Sequence, residues 1–502
     1  MIRAHKETLE REIKLGVDRG FALPRLGGKA LPPRVLTSIY YDTDNYRLAQ
    51  AHITLRYRIE AAKGSWQLKL PRDSARLELE FSGDRRGPPE SLRTLLFAHL
   101  RGHPLRPIAT LRARRTGTRI GGTRRPLADV VLDSVDSLEG RRVVDRLHEL
   151  EVERLAGDEK DLRRIEQVLR AAGAVDGDPR PKVFQLLGLG STAAPDPVPP
   201  SAQPIEHIKA ALRTHVQLLL THDPGTRLGS DPEELHKMRV ATRRLRAYLR
   251  AAHSLFVPEW VAQIRTETAW LGSALGPVRD LDVLLAHLRE ACATLRPSER
   301  RACERLLERL EAERTAARAA LLQTLESDRY LLLLERLETA AQEPVVSDTI
   351  VSLMDIAGAE FKKLRRAVKV SGFDASDAKL HEIRIKGKRA RYAAELAQTS
   401  VGKPAARFLL HAKAFQDLLG EHHDAAVTEQ RLRTLIRSAR NGMAAVALGR
   451  LIERQFERRR RVRKALPTVW RKLKKQGEAT WHRSMESSGT GPEEGARGSD
   501  RS

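Results

Sequence analysis

Cysteine is nearly absent from this chain of 502 residues, with only Cys292 and Cys303 present. Both fall in one stretch rich in Arg, Glu and Leu, where bridging them requires a sharp reversal, so neither a disulfide framework nor a zinc site is signalled. Aromatic residues make up 4% of the chain, too few for the stacking platforms that bind single strands, and no recognised DNA-reading motif occurs. Apolar runs such as Leu331–Leu334 are far too short to span a bilayer. The opening MIRAHKETLEREIKL lacks an apolar core of signal length. A soluble, cytoplasmic protein without a membrane partner is expected.

Acidic side chains are also in deficit, 65 against 90 Lys and Arg, for a formal net charge of +25. Such an imbalance points to a polyanionic partner; nucleic acid, an anionic membrane and polyphosphate all qualify. Residues 1–190 hold 36 basic and 26 acidic side chains and the remainder 54 and 39, so the excess is shared and both halves are expected to face the polyanion. Two or more domains are expected at this length.

The Pro/Ala/Ser-rich segment 191–204 reads as an interdomain linker, and the polar, Gly-rich segment 485–502 as a disordered tail. Before the linker, the runs LEREIKL, ITLRYRI, WQLKL, RLELEF, ADVVLDSV and HELEVERL alternate with period two, which predicts β-strands. After it, Leu, Ala, Arg and Glu recur at three- and four-residue spacing, which predicts amphipathic helices over 205–475. The fold class is α+β and multidomain: a β-rich domain over 1–190 with flanking helices, then an all-α domain.

In these strands one face is strongly charged. Glu10, Glu12 and Lys14 point the same way, as do Arg56 and Arg58, Glu78 and Glu80, and Glu149, Glu151 and Glu153. Any single strand of this kind reads as the solvated outer face of an ordinary sheet. The set suggests a closed antiparallel barrel with the charges turned inward, where bases grip a polyphosphate and carboxylates hold a divalent cation against it. Oxygen ligands and phosphate suit Mg²⁺ or Mn²⁺.

The ordered series Glu10-Arg11-Glu12-Ile13-Lys14, Tyr40-Tyr41-Asp42-Thr43, Leu55-Arg56-Tyr57-Arg58 and Trp66-Gln67-Leu68-Lys69 resembles the CYTH domains, the triphosphate tunnel metalloenzymes. Arg112 and Arg114, Asp133, the Glu149/Glu151/Glu153 strand and Lys182 follow in the family's order. The family often has Ser before the closing lysine, where this chain has Pro181. The resemblance implies phosphate binding by Lys14, Arg56, Arg58, Lys69, Arg112, Arg114 and Lys182. It implies metal binding and water activation by Glu10, Glu12, Asp133, Glu151 and Glu153, with Glu10, Glu12 and Lys14 as the catalytic set.

In DPEELHKMRVATRRLRAYLR, Asp231 is a helix N-cap and Pro232 the first helical residue. His236, Arg239, Arg243, Arg246 and Arg250 then stack along one stripe. The stripe returns as His381, Arg384, Lys388 and Arg391. Leu275-Gly276-Pro277-Val278-Arg279-Asp280 follows the first copy and Leu419-Gly420-Glu421-His422-His423-Asp424 the second, at offsets of 145 and 144 residues between the histidines and the aspartates. An internal duplication is expected, two helical bundles over about 205–340 and 345–475. A charge stripe is ordinarily a solvated face, but such faces are interspersed with Glu at i±4. This repeat resembles the CHAD domain, a conserved-histidine α-helical family often fused to CYTH domains and associated with polyphosphate. The resemblance implies that the two stripes face each other across a channel, extended by Lys362, Lys363, Arg365, Arg366, Lys403, Arg407 and Lys413, and that the protein can associate with polyphosphate granules.

The expected function is metal-dependent hydrolysis of tripolyphosphate or polyphosphate ends, the helical domain holding the polymer. A non-catalytic polyphosphate-binding or targeting protein is the alternative. Nucleic-acid binding, suggested by the run Arg458–Lys464, is the least favoured reading.

Overall fold

The computed structural model describes residues 6–72, 75–122, 124–190, 196–437 and 442–486. Two compact units result, one of the described residues up to Asp196 with Asp223–Asp231, the other of Pro197–His222 with the described residues from Pro232 onward. Of the expected linker, 191–195 lie outside the described residues, as do 487–502 of the expected tail.

The first unit runs β1 (Lys6–Glu10), β2 (Glu12–Gly16), β3 (Lys29–Asp42), α1 (Arg47–Gln50), β4 (Thr54–Glu60), β5 (Lys63–Arg72), β6 (Ala75–Phe81), α2 (Glu90–Leu95), α3 (Phe97–Leu100), β7 (Arg106–Gly122), β8 (Arg125–Glu139), β9 (Arg142–Arg154), α4 (Glu159–Ala171), β10 (Val175–Asp176) and α5 (Lys182–Leu186). The strands form one antiparallel sheet of order β1-β6-β5-β4-β3-β7-β8-β9-β2-β10. The expected closed barrel is therefore corrected: among the described residues no ladder joins the two ends of this order. The reason lies in the N-terminal segment, which serves two partners in succession. Lys6–Glu10 pairs with β6 and Glu12–Gly16 with β9, so the two sides meet through the chain at Arg11, whose carbonyl accepts from Arg154 N at 2.8 Å.

The alternation of the strands is inverted relative to an ordinary core. Leu55, Tyr57, Trp66, Leu68 and Leu79 pack outward on Leu92, Leu95, Leu96 and Leu100, and Leu15, Val130, Leu150 and Val152 on Leu162, Ile165 and Leu169 of α4. Helices thus absorb the apolar face. The opposite, charged face of each strand is left to enclose a cavity.

The second unit holds α6 (Pro204–Leu228) as far as His222, then α7 (Pro232–Ala251), α8 (Pro258–Ala293), α9 (Pro297–Leu325), α10 (Asp328–Gln342), α11 (Leu353–Ser371), α12 (Asp377–Val401), α13 (Lys403–Arg437) and α14 (Gly442–Glu486). Ser352 and Ser376 cap α11 and α12 with their side chains, the usual signal for a helix start. Each histidine helix, 20 and 25 residues long, is followed by a helix of 36 or 35 residues, yet two separate bundles are not delimited, since the helices form a single compact unit. Helix α14 runs past the expected end at 475, anchored by the fully buried Trp481. The chain does make the sharp reversal between Cys292 and Cys303, at the α8–α9 turn; both thiols are free and buried in one apolar cluster.

Candidate functional site

Residues paired directly across an antiparallel ladder share a face of the sheet, so the register determines which side chains meet in the cavity. Glu12 opposes Glu153 and Lys14 opposes Glu151. Asp133 opposes Glu149 on one side and Arg115 on the other. Arg56 opposes Tyr40, Arg58 opposes Ser38, and Lys69 opposes Glu78. With Glu10, Arg76 and Lys182, these residues, Glu149 excepted, line a cavity of ≈ 790 Å³. Lys182 reaches it because α5 packs Val183 and Phe184 against Tyr40, Leu111 and Val135.

Acids and bases interlock inside. Lys182 Nζ lies 2.5 Å from Asp133, 2.9 Å from Glu151 and 3.1 Å from Glu149. The Arg115 guanidinium holds both oxygens of Asp133 at 2.7 and 2.8 Å and reaches Glu151 at 2.8 Å and Glu153 at 2.7 Å. Lys69 bridges Glu10 at 2.5 Å and Glu78 at 3.0 Å. Arg58 contrasts with all of these: it is deeply buried, and its Nε has no hydrogen-bond partner. Burial and the neighbouring Arg56 push it down to about 10.

The carboxylates divide by environment. Burial opposes the charge of Glu151, but Lys182, Arg115 and Lys14 overcome it and hold the group well below the ordinary range. For Glu149 burial outweighs Lys182 and Lys14 and the shift is upward; Glu153 is likewise raised by burial over the pull of Arg115. Burial lifts Glu10 to about 7 against the opposing Lys69, with Glu78 beside it adding to the rise.

Among the described residues, no three acids or histidines already converge to hold a metal ion. Asp133 and Glu151, expected as ligands, are covered by Lys182 and Arg115. Glu12 suits a hard divalent cation, and Glu153, opposite it on the ladder, would join it only on release from Arg115, which holds it at 2.7 Å. Like charges directly opposite on a ladder are destabilising, and Glu12 has no cation closer than Lys14 at 3.9 Å.

In the helical unit the histidine helices α7 and α12 face each other, with Arg243 Nε donating to Tyr392 Oη at 3.0 Å and Tyr248 Oη to Glu395 at 2.9 Å. Two grooves of ≈ 730 and ≈ 620 Å³ share Arg243, Arg246, Arg384 and Lys388 as lining. Arg250, Arg265 and Arg389 complete the first; His236, Arg239, Arg279, His423 and Arg431 complete the second. The Nε atoms of Arg265 and Arg384 are buried without a hydrogen-bond partner. Burial, then Arg384, Arg243 and Arg239, push Lys388 down to about 7. Burial and Arg279 lower His236, and His423 falls to about 4 through burial and Arg384.

Comparison with known proteins matches residues 8–176 to the CYTH domain family and residues 210–433 to the CHAD domain family. The chain is a CYTH–CHAD fusion. An uncharacterized protein found in two strains of Mycobacterium tuberculosis is 29% identical over 508 residues, spanning 93% of this chain and 96% of the relative. Among solved structures, PptA from Streptomyces chartreusis is 23% identical and covers 54% of this chain and 100% of its own, with a TM-score of 0.46. The CHAD domain from the plant Ricinus communis is 25% identical, covers 56% and 95%, and has a TM-score of 0.45.

Within the CYTH domain the structure brings together Glu10, Glu12, Lys14, Arg56, Arg58, Lys69, Asp133, Glu151, Glu153 and Lys182. It does not bring Arg112 and Arg114, which point to the other face of β7: Arg112 pairs with Asp136 at 3.3 Å, and Arg114 opposes Ser134. Arg115 takes the inward place that was assigned to them. Within the CHAD domain, Arg391 turns to Glu395 at 3.0 Å and Gln416 at 3.2 Å and does not line either groove. His381 meets His423, ring nitrogens 3.2 Å apart, and the groove wall is formed by His423. Arg265 was not singled out from sequence, and Arg279 appeared only as part of the repeated motif; their spacing of fourteen residues, about four turns along α8, was the available signal. No helix among the described residues is long and apolar enough to cross a membrane.

Proposed function

We propose that the CYTH cavity hydrolyses the terminal phosphoanhydride of tripolyphosphate or polyphosphate, and that the CHAD grooves hold the polymer. The observation that supports this best is the convergence of Lys14, Arg56, Arg58, Lys69, Arg115 and Lys182 in one cavity that also contains Glu12 and Glu153. Phosphate oxygens displace the carboxylates from Lys69, Arg115 and Lys182 and complete the unpaired Arg58, neutralising charge on the anhydride with groups already in place. Glu12, joined by Glu153 once phosphate has drawn Arg115 away, would hold Mg²⁺ or Mn²⁺, which would neutralise the phosphate oxygens further.

Glu12 orients a water in line with the terminal phosphorus and takes its proton. The new P–O bond forms as the bridging P–O bond breaks, and Lys14 and Lys182 stabilise the departing oxygen. The products are orthophosphate and a polymer one phosphate shorter. Phosphate release from tripolyphosphate with Mg²⁺ or Mn²⁺ tests this. Glu12→Gln is expected to slow turnover by roughly 10²-fold or more, the usual scale for a positioned proton acceptor; a variant as fast as the parent rules the assignment out.

The interlocked ion pairs of Lys182 and Arg115 favour a second reading, in which the cavity binds a triphosphate without turnover. Tight, metal-independent tripolyphosphate binding with no phosphate release selects it.

A further inference from the structure

Helix α12 carries two basic stripes. His381, Arg384 and Lys388 belong to the one that faces α7; Lys379, Glu382, Lys386 and Arg389 sit at steps of three, four and three on the neighbouring face. That second face meets α11 along a groove of ≈ 520 Å³, lined by Lys363, Arg366, Lys379, Lys386 and Arg389 with a single acid, Glu382. Two of the five cations have only local partners one helical turn away, Lys363 to Glu360 and Lys379 to Glu382 at 3.2 Å. Such exposed pairs are weak and readily exchanged. Arg366, Lys386 and Arg389 form no ion pair among the described residues.

Arg389 also lines the central groove, with Arg250, Arg265 and Lys388. The basic lining is thus continuous from the central grooves around α12 to α11. Along α7 alone the stripe from His236 to Arg250 extends about 21 Å at 1.5 Å per residue, more than a tripolyphosphate covers, so an anion that uses both the central grooves and the α11–α12 groove must be a polymer.

We propose that the α11–α12 groove is a distal polyphosphate subsite, which holds the part of a long chain that leaves the central grooves past Arg389. This rests on the central grooves binding polyphosphate, and it adds a chain-length dependence: long polymers engage both sites and short ones only one. Lys363, Arg366 and Lys379 are exposed and Lys386 is half-buried, none of them in the apolar core, so truncating Lys363, Arg366 and Lys386 leaves the helical packing intact.

The test is binding of long-chain polyphosphate and of tripolyphosphate to the full chain over a series of salt concentrations. The variants are Lys363→Ala/Arg366→Ala/Lys386→Ala and, in the central grooves, Arg246→Ala/Lys388→Ala. The distal triple variant is expected to bind long-chain polyphosphate roughly five- to fiftyfold more weakly, as for three exposed charge pairs. Its log affinity against log salt should be shallower by about two, at ~0.7 per lost phosphate contact, and its tripolyphosphate affinity unchanged. Parental affinity and slope in the distal variant, with the central variant weakened, overturn the subsite and leave the proposed function standing. Parental affinity in the central variant overturns the CHAD reading itself.

Discussion

On the proposed function, Lys388 makes polyphosphate binding depend on pH, with a sign that follows from its surroundings. It is packed among Arg239 and Arg243 of α7, Arg384 of its own helix, and His423 and Asp424 of α13, with Arg279 and Asp280 of α8 on the same groove. Burial and these cations bring it from an ordinary 10.5 to about 7. A phosphate in the groove supplies the missing counter-charge and returns the ammonium towards its usual value. Binding above pH 7 must therefore take up a proton. At pH 8.5, about 1.5 pH units above the empty-groove value, the affinity should be as much as ~30-fold, or about 2 kcal/mol, below that at pH 6. Solvent screening in an open groove makes this the upper value.

Calorimetry of polyphosphate binding in two buffers of different ionisation enthalpy counts the protons. About one should be taken up at pH 8.5, and Lys388→Met should abolish that uptake and flatten the profile above pH 7. The histidines titrate lower and cannot replace it there. Ionisation of the polymer's ends acts in the opposite sense, strengthening binding as pH rises. Equal affinity at pH 6 and 8.5, or proton uptake that survives Lys388→Met, refutes the reasoning. The same shift acts on stability: with its folded value depressed, Lys388 disfavours the fold at low pH, and this cost is relieved as pH rises from about 7 towards 10.5.

Two further predictions concern the CYTH domain. Lys182→Met strips the shared cation from Asp133, Glu149 and Glu151, and thermal or urea unfolding should show a loss of about 3 kcal/mol, the scale for breaking a buried pair. Arg115→Ala should weaken tripolyphosphate binding at least tenfold while Arg112→Ala/Arg114→Ala leaves it within about twofold, a comparison titration calorimetry makes directly; the reverse order contradicts the β7 register.

The unequal success with arginines has a physical cause. In LEREIKL the phase is unambiguous, because Leu15 and Ile13 contrast with Glu12 and Lys14 and only one face can meet water or ligand. In LRARRTGTRI both phases contain arginine and neither is apolar, so local alternation does not distinguish Arg112 and Arg114 from Arg115. Pairing across the ladder decides it: buried Asp133 requires a cation opposite, and Arg115 is the residue in register. Arg391 misled for a different reason. Its three- and four-residue spacing continues the stripe, but Glu395 sits at i+4 and captures it. That the sheet stays open, against the closed barrel expected, was illegible because it depends on β1 and β2 serving different partners on either side of Arg11, a long-range choice that no local pattern encodes.

Net charge alone did not separate polyphosphate from nucleic acid; the placement of compensated and uncompensated charge does favour one. The densest basic run lies on α14, yet it is largely spent internally: Arg458 and Arg461 bond Glu421 at 2.9 and 2.7 Å, Arg459 engages Asp377 and Glu429, and Arg463 reaches Asp377 at 2.6 Å and His422 at 3.2 Å. These arginines fasten α14 to α12 and α13. By contrast Arg246, Arg250 and Arg265 line a concave slot of ≈ 730 Å³ with one acid, Glu360, on its wall. A duplex carries its phosphates on the outside of a wide double helix, whose major groove alone is about 12 Å across, and is met by a broad, open basic face. Phosphates strung without sugar or base can enter the slot, and each one that does relieves repulsion the fold otherwise carries. The proposed reading of the grooves as a site for a thin, unadorned polyanion thus has support from shape as well as from charge.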